Sequence, residues 1–208
     1  VNDAPTHSAL NNVTINEEAS AESVSLTGIG AGAANETQTL TVTATSSNPT
    51  LIPNPTVTYT SPNATGSLAF TPVANSNGIA TITVTVNDGQ AVNNTLSRTF
   101  TVTVNAVNDT PALDALSNLT LNEDATAQTV GLAGISTGAA NETQTLTVTA
   151  TSSNPGLVPN PTVTYTSPGS TGTLSFTPVA NANGSATITV TVNDGQVANS
   201  TITRTFTV

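Results

Sequence analysis

The chain repeats itself. Val1-Asn2-Asp3 returns as Val107-Asn108-Asp109, Asn35-Glu36-Thr37-Gln38 as Asn141-Glu142-Thr143-Gln144, and Val86-Asn87-Asp88-Gly89-Gln90 as Val192-Asn193-Asp194-Gly195-Gln196. Every pair stands 106 positions apart, as 107 is from 1 and 192 from 86, so no insertion interrupts the register. A period of this length is a whole domain, since solenoid units repeat every ~20–50 residues. The chain is therefore expected to fold twice, over residues 1–104 and 105–208, with a linker near 104–111. It opens inside a motif that recurs mid-chain, and it ends at Val208, the counterpart of Val102. The expectation is a piece of something longer, with any export signal outside it.

Within each copy the hydrophobic period is two. Leu40, Val42 and Ala44 alternate with Thr, as do Ile82, Val84 and Val86, and again Phe100, Val102 and Val104. Period two is the signature of a strand with one face buried, and the branched Thr side chain suits the outward face. Seven strands are predicted in the first copy, near 11–16, 22–29, 38–46, 56–60, 66–71, 79–87 and 97–104. Asn48-Pro49, Asn54-Pro55, Ser61-Pro62, Asn77-Gly78 and Asp88-Gly89 punctuate them as turns. Seven short strands in about 100 residues predict an all-β fold of two tandem seven-stranded, immunoglobulin-like Greek-key β-sandwiches. The Cys and Trp that pin antibody domains are absent. Tyr59, Phe70, Phe100 and their copies sit in strand patterns and read as core.

Composition narrows function by exclusion. There is no Lys, Arg98 and Arg204 are the only strong bases, and twelve acids give a net charge of -10. Nucleic acids and anionic membranes both require clustered bases. No apolar run approaches the roughly 18 residues of a membrane span. With no Cys and a single unrepeated His7, the usual base–nucleophile pairs cannot be assembled, so no enzyme is expected. A carbohydrate platform would need exposed rings, and aromatics make up 3% of the chain.

The acids fall outside the middle of the strands. Tracing the strands up and down places Glu17 and Glu18 in the turn after the first strand, at the end of copy one that faces copy two. Asp109 lies in the linker, and Glu142 and Asp194 in the loops of copy two nearest that linker. Asn75, Asn77, Asn105 and Asn108 could join them. Such a cluster, with no protein cation to balance it, is costly unless its members are protonated, spread apart or neutralised. An all-oxygen set of this kind suits Ca²⁺, which takes 6–8 oxygens in loose geometry. Each acid also has a plainer reading. Asp88-Gly89 and Asp194-Gly195 serve as hairpin turns, Glu17-Glu18 as a solvated turn, and Asn35-Glu36 as a solvent-facing loop. Arg98 and Arg204 read as a structural ion pair or a solvated strand side chain.

Asn-Asp-x-Pro in the linker, Asn-Glu-Glu/Asp after the first strand and Asp-Gly after the sixth resemble the cadherin repeat. Val-Asn-Asp-Ala-Pro and Gln-Thr-Leu-Thr-Val-Thr-Ala-Thr look more closely like the bacterial cadherin-like and immunoglobulin-like tandem repeats of large surface adhesins. The resemblance covers both copies. It implies an extracellular or cell-surface stalk whose partners are neighbouring repeats of the same chain and, in adhesion, a surface protein or glycan. It also implies calcium held between repeats, with Glu17 or Glu18, Asn108, Asp109 and Asp194 matching the family's ligands; Glu142 joins this set only from the acid cluster described above. The family's pair of Asp in the second loop is here Asn141-Glu142, and its acidic fifth-loop motif is here Asn75-Ser76-Asn77. Fewer or weaker calcium sites follow. The rival expectations are a metal-independent spacer and a carbohydrate- or protein-binding module.

Overall fold

The computed structural model describes residues 1–208 and contains strands, turns and irregular segments but no helix. The chain divides into two compact units, Val1–Val107 and Asn108–Val208. Unit 1 contains β1 (Val13–Asn16), β2 (Glu22–Thr27), β3 (Thr41–Ser46), β4 (Thr56–Thr58), β5 (Thr65–Phe70), β6 (Gly78–Asn87) and β7 (Thr95–Asn105). All seven lie where the alternation predicts them. They form a four-stranded sheet in the order β1-β7-β6-β3 and a three-stranded sheet in the order β2-β5-β4. Neighbours are antiparallel except β1 and β7, which run parallel with Val13 opposite Val102.

The core follows from the alternation. Along β6, Ala80, Ile82, Val84 and Val86 are buried, while the Thr residues between them keep some exposure. Leu26, Leu68 and Phe70 from the other sheet and Leu51 and Ile52 from a loop complete the same cluster. Each such side chain contributes about 1.5–3 kcal/mol on burial. Phe70 and Phe100 are core, as read from the sequence, and Tyr59 packs against it half-buried.

One edge was not legible as a strand. Before β1, Thr6 pairs with Gly30: the Thr6 N–H donates to Gly30 O at 2.8 Å, and the Ser8 N–H to Thr27 O at 2.9 Å. This edge therefore joins the β2 side first and reaches β7 only from Val13 onward. The single strand expected near 11–16 captures the second half of that path.

Unit 2 contains β8 (Gln128–Leu132), β9 (Thr147–Ser152), β10 (Thr162–Thr164), β11 (Gly172–Phe176), β12 (Thr187–Asn193) and β13 (Thr201–Thr207). Its sheets are β13-β12-β9 and β10-β11-β8, around a core that includes Leu132, Leu174, Ile188, Val190 and Phe206. These are the counterparts of β2 to β7, and the counterpart of β1 is not assigned as a strand. In unit 1 the register sets Val13 opposite Val102 and Asn16 opposite Asn105. The same register in unit 2 sets Leu119 opposite Val208. One bond of that pairing remains, from the Leu119 N–H to Thr207 O at 2.8 Å.

Candidate functional site

The loops at the entry end of each sandwich form a clasp around the incoming chain. In unit 2 the centre of the clasp is Asn108. Its Nδ2 donates to Asp194 Oδ2 at 2.9 Å and to Ala198 O at 3.0 Å. Its Oδ1 accepts from Gln144 Nε2 at 3.0 Å, and its carbonyl from Asn199 Nδ2 at 2.9 Å. The next residue, Asp109, donates its N–H to Glu142 Oε1 at 2.8 Å. Glu142 and Gln144 stand in the loop between β8 and β9, Asp194 directly after β12, and Asn199 just before β13. Four of the expected ligands, Asn108, Asp109, Glu142 and Asp194, are thus brought together in one unit.

Unit 1 repeats the scheme. Asn2 Nδ2 donates to Asp88 Oδ2 at 3.0 Å and to Val92 O at 2.8 Å, and Asn2 Oδ1 accepts from Gln38 Nε2 at 3.0 Å. Asn93 Nδ2 reaches Asn2 O at 3.1 Å, and the Asp3 N–H reaches Glu36 Oε1 at 2.9 Å. Asp88 and Asp194 are only 3% and 4% exposed, so neither is merely a solvated hairpin residue. Their second oxygens accept the N–H groups of Gln90 and Gln196 at 2.9 and 2.8 Å. Each carboxylate is paired through charge-assisted hydrogen bonds, the condition under which burial is tolerated. The reading of Asn35-Glu36 as solvent-facing is corrected: Glu36 is half-buried, because its loop folds over the incoming chain.

A glycine makes that approach possible. Gly32 and Gly138 have φ of 117° and 109°. A Cβ on Gly138 would lie 2.5 Å from Thr110 O and 2.9 Å from the Asp109 Cβ, and one on Gly32 would lie 2.8 Å from Ala4 O. Only glycine allows both the backbone conformation and the contact.

Some oxygens in the clasp receive no donor. Glu36 Oε2, Gln38 Oε1, Glu142 Oε2, Gln144 Oε1 and Asp109 Oδ2 are buried without a hydrogen-bond partner. The Glu and Gln atoms recur in both units, so they belong to the motif. Acceptors gathered without donors form a setting for a cation with hard-oxygen preference.

The remaining expected ligands lie in the turn after β1. Glu17 is 1% exposed. Its N–H donates to Asn105 O at 3.1 Å, and its Oε1 accepts from the Val107 N–H at 2.8 Å, so it ties down the chain as it leaves β7. Glu18, the next residue, is exposed. In unit 2, Asp124 Oδ1 instead accepts from the Asn181 N–H at 2.9 Å.

Gln38, Gln144, Asn93 and Asn199 were not singled out from the sequence, yet all four are clasp members. Recurrence of Gln38 and Asn93 at the 106-residue offset was the available signal. The arginines also have a defined role: Arg98 Nε donates to His7 O at 3.4 Å and Arg204 Nε to Leu113 O at 3.0 Å, securing the edge beside β7 and β13. His7 itself is 4% exposed, and neither ring nitrogen has a partner. Burial, and then the nearby Arg98 charge, hold its pKa below the ordinary 6.5. The equivalent position in unit 2 is the core residue Leu113.

The family model for the bacterial Ig domain matches residues 2–105 and 108–207. Among solved structures, protocadherin gamma C5 EC1-3 is similar at 13% identity and a TM-score of 0.50, over 99% of this chain and 67% of that one. Protocadherin gamma B7 extracellular cadherin domains 1-4 is similar at 14% identity and a TM-score of 0.50, over 99% of this chain. The chain spans about half of the latter, 49% of its length. At these identities the likeness describes the fold. No curated protein matches.

Proposed function

Because the chain belongs to the bacterial Ig domain family through both of its halves, we propose that it is a stalk segment of a large extracellular or cell-surface adhesin. Repeated sandwiches set the length of the stalk, and calcium stiffens the joint between successive repeats. The observation that carries this reading is the grip on two consecutive residues. Val107 is held by Glu17 within unit 1, and Asn108 by Asp194, Gln144 and Asn199 within unit 2. No free linker residue separates the two grips, an arrangement that suits a spacer.

Calcium fits the chemistry of the residues present. The ligands proposed for it are Glu17, Glu18, Asn108, Asp109, Glu142 and Asp194. All are oxygen donors, and Glu142 Oε2 and Asp109 Oδ2 are buried without a donor that a cation would replace. The partners are neighbouring repeats and, at an adhesive end, a surface protein or glycan. The absence of Lys and Cys and the use of the acids as structural acceptors argue for mechanical rather than catalytic work. No helix is long and apolar enough to cross a membrane.

A metal-independent spacer is the second reading. It is favoured by Asp194, whose two oxygens already accept N–H donors without any ion. Calorimetry on chelator-treated protein separates the two. The calcium reading expects binding near the weak extracellular range, about 10⁻⁴–10⁻³ M, together with a narrower distribution of inter-unit angles in small-angle scattering. No heat up to roughly 10 mM calcium, ten times the weaker limit, leaves the metal-independent spacer.

A further inference from the structure

The segment that enters unit 1 ahead of β1 is held to the β2 side by a short set of bonds. Thr6 and Gly30 exchange backbone hydrogen bonds of 2.8 and 3.2 Å, and the Ser8 N–H donates to Thr27 O at 2.9 Å. Thr6 Oγ1 adds a bond to Gly28 O at 2.9 Å. Between these rungs His7 turns its ring inward: it is 4% exposed, and Nδ1 and Nε2 are both buried without a partner. Its carbonyl accepts from Arg98 Nε at a long 3.4 Å. Arg98, on β7, is the charge that bears on the ring, and no carboxylate offsets it. The opposing edge, Thr27 to Gly30, carries no titratable group.

Unit 2 builds the same edge around an apolar residue. Ala112 and Ser136 exchange bonds of 2.9 and 3.4 Å, and the Asp114 N–H donates to Ala133 O at 3.0 Å. Arg204 Nε donates to Leu113 O at 3.0 Å. Leu113 stands where unit 1 has His7, and it belongs to the core cluster. The titratable residue of this edge, Asp114, is exposed. The two edges share their backbone pairing and differ in whether the side chain buried between the rungs can take up a proton.

We propose that the Thr6–Ser8 edge is an acid-released latch: protonation of His7 frees this segment from β2 while the sandwich behind it stays folded. An imidazolium donates from both nitrogens, and neither has an acceptor here. Burial would leave the charge and both donors unsatisfied beside the Arg98 guanidinium, and water satisfies them once the segment lifts. Lifting breaks three backbone bonds, the Thr6 hydroxyl bond and the long Arg98 bond. Unfolding the unit would also break the ten paired residues of β6 and β7 and empty the core. Local opening is therefore the lower route. Buried His7 takes up a proton less readily than it does in the lifted segment. Acid accordingly shifts the balance toward the open form below the ordinary 6.5, and the shift saturates beneath the lowered folded value. The latch belongs to unit 1 and not to unit 2, and it does not depend on calcium.

The test is native-state amide exchange on the whole chain between pH 7.5 and 5, a range that brackets the ordinary His value. Rates are expressed as protection factors, which remove the intrinsic slowing of exchange in acid. At Thr6, Ser8 and Gly30 protection is expected to fall about fivefold or more as pH drops, while the equivalent amides of Ala112, Asp114 and Ser136 hold theirs. Low denaturant should leave exchange at the three latch amides unchanged, the mark of a small opening, and should speed it steeply at the β6 amides. His7→Leu copies the residue that unit 2 already carries, and it is expected to make latch protection independent of pH. Latch protection in the wild-type chain that stays within about twofold across the range would overturn the proposal. So would a denaturant response at the latch as steep as that of β6, which would mean that His7 acts only through the whole unit. Persistence of the pH dependence in His7→Leu would overturn the assignment to His7.

Discussion

Asn2 in unit 1 and Asn108 in unit 2 each bind an Asp, a Gln and an Asn of their own unit, through the same atoms and at nearly the same distances. The far ends of the units do not match in this way. Asn16 is the last residue of a parallel strand and Glu17 grips Val107, whereas residues 119–122 form no strand and Glu123 is exposed. The clasp uses residues that every copy carries within itself, so it forms identically wherever the motif occurs. At the far end Glu17 holds Val107 in unit 1, whereas Asp124 accepts from the Asn181 N–H in unit 2, so equivalent acids make different contacts there.

The clasp is the place to press that comparison hardest. Asp88→Ala and Asp194→Ala each remove a buried acceptor and strand the Asn amide that it served. Each is expected to cost its own unit about 3 kcal/mol, with the other unit unchanged. Denaturant melts with unit-resolved hydrogen exchange read this directly, and a large cost from one of the two substitutions without a matching cost from the other would break the equivalence. Gly32→Ala and Gly138→Ala should follow at about 2 kcal/mol each, since both impose a strained backbone and a contact with the incoming chain.

His7 sharpens the contrast on a smaller scale. Its pKa is lowered in the folded state, so the unfolded chain binds more protons once pH falls below the ordinary 6.5. The stability of unit 1 is therefore present above that value, declines as pH drops from there to the folded pKa, and levels off beneath it. Unit 2, with Leu113, carries no such term. His7→Leu is expected to stabilise unit 1 by about 1 kcal/mol at neutral pH, by removing a buried polar ring without partners, and to abolish this acid dependence. Melting curves between pH 7.5 and 5 check it (the range brackets the ordinary His value). A wild-type unit 1 insensitive to pH over that range would contradict the burial argument.

The strands were legible because Thr and Val alternate without interruption, and a period of two dictates which side chains meet. The Thr6–Ser8 edge was not, because its pairing rests on backbone bonds to Gly30 and Thr27 and leaves no hydrophobic pattern. Asn108, Asp109, Glu142 and Asp194 stood out as repeated polar residues in loops, and the structure gathers them. Their partners were hidden, since which amide meets which carboxylate depends on loop conformations that no local pattern encodes. Gln144 shows this most clearly: it sits in a repeated motif, yet its role exists only once Asn108 is threaded between two loops.

The calcium reading turns on whether the clasp of unit 2 also serves an ion at the joint. Asp88→Asn and Asp194→Asn make the same chemical change in the same hydrogen-bonding setting, so both should perturb their own units equally. Only Asp194 is a proposed ligand of the joint. Calorimetric titration with calcium should therefore show wild-type and Asp88→Asn chains binding alike, within the range of about 10⁻⁴–10⁻³ M, and the Asp194→Asn chain binding markedly more weakly. Equal calcium affinity in the two variants would contradict the account and confine the motif to holding its own domain together.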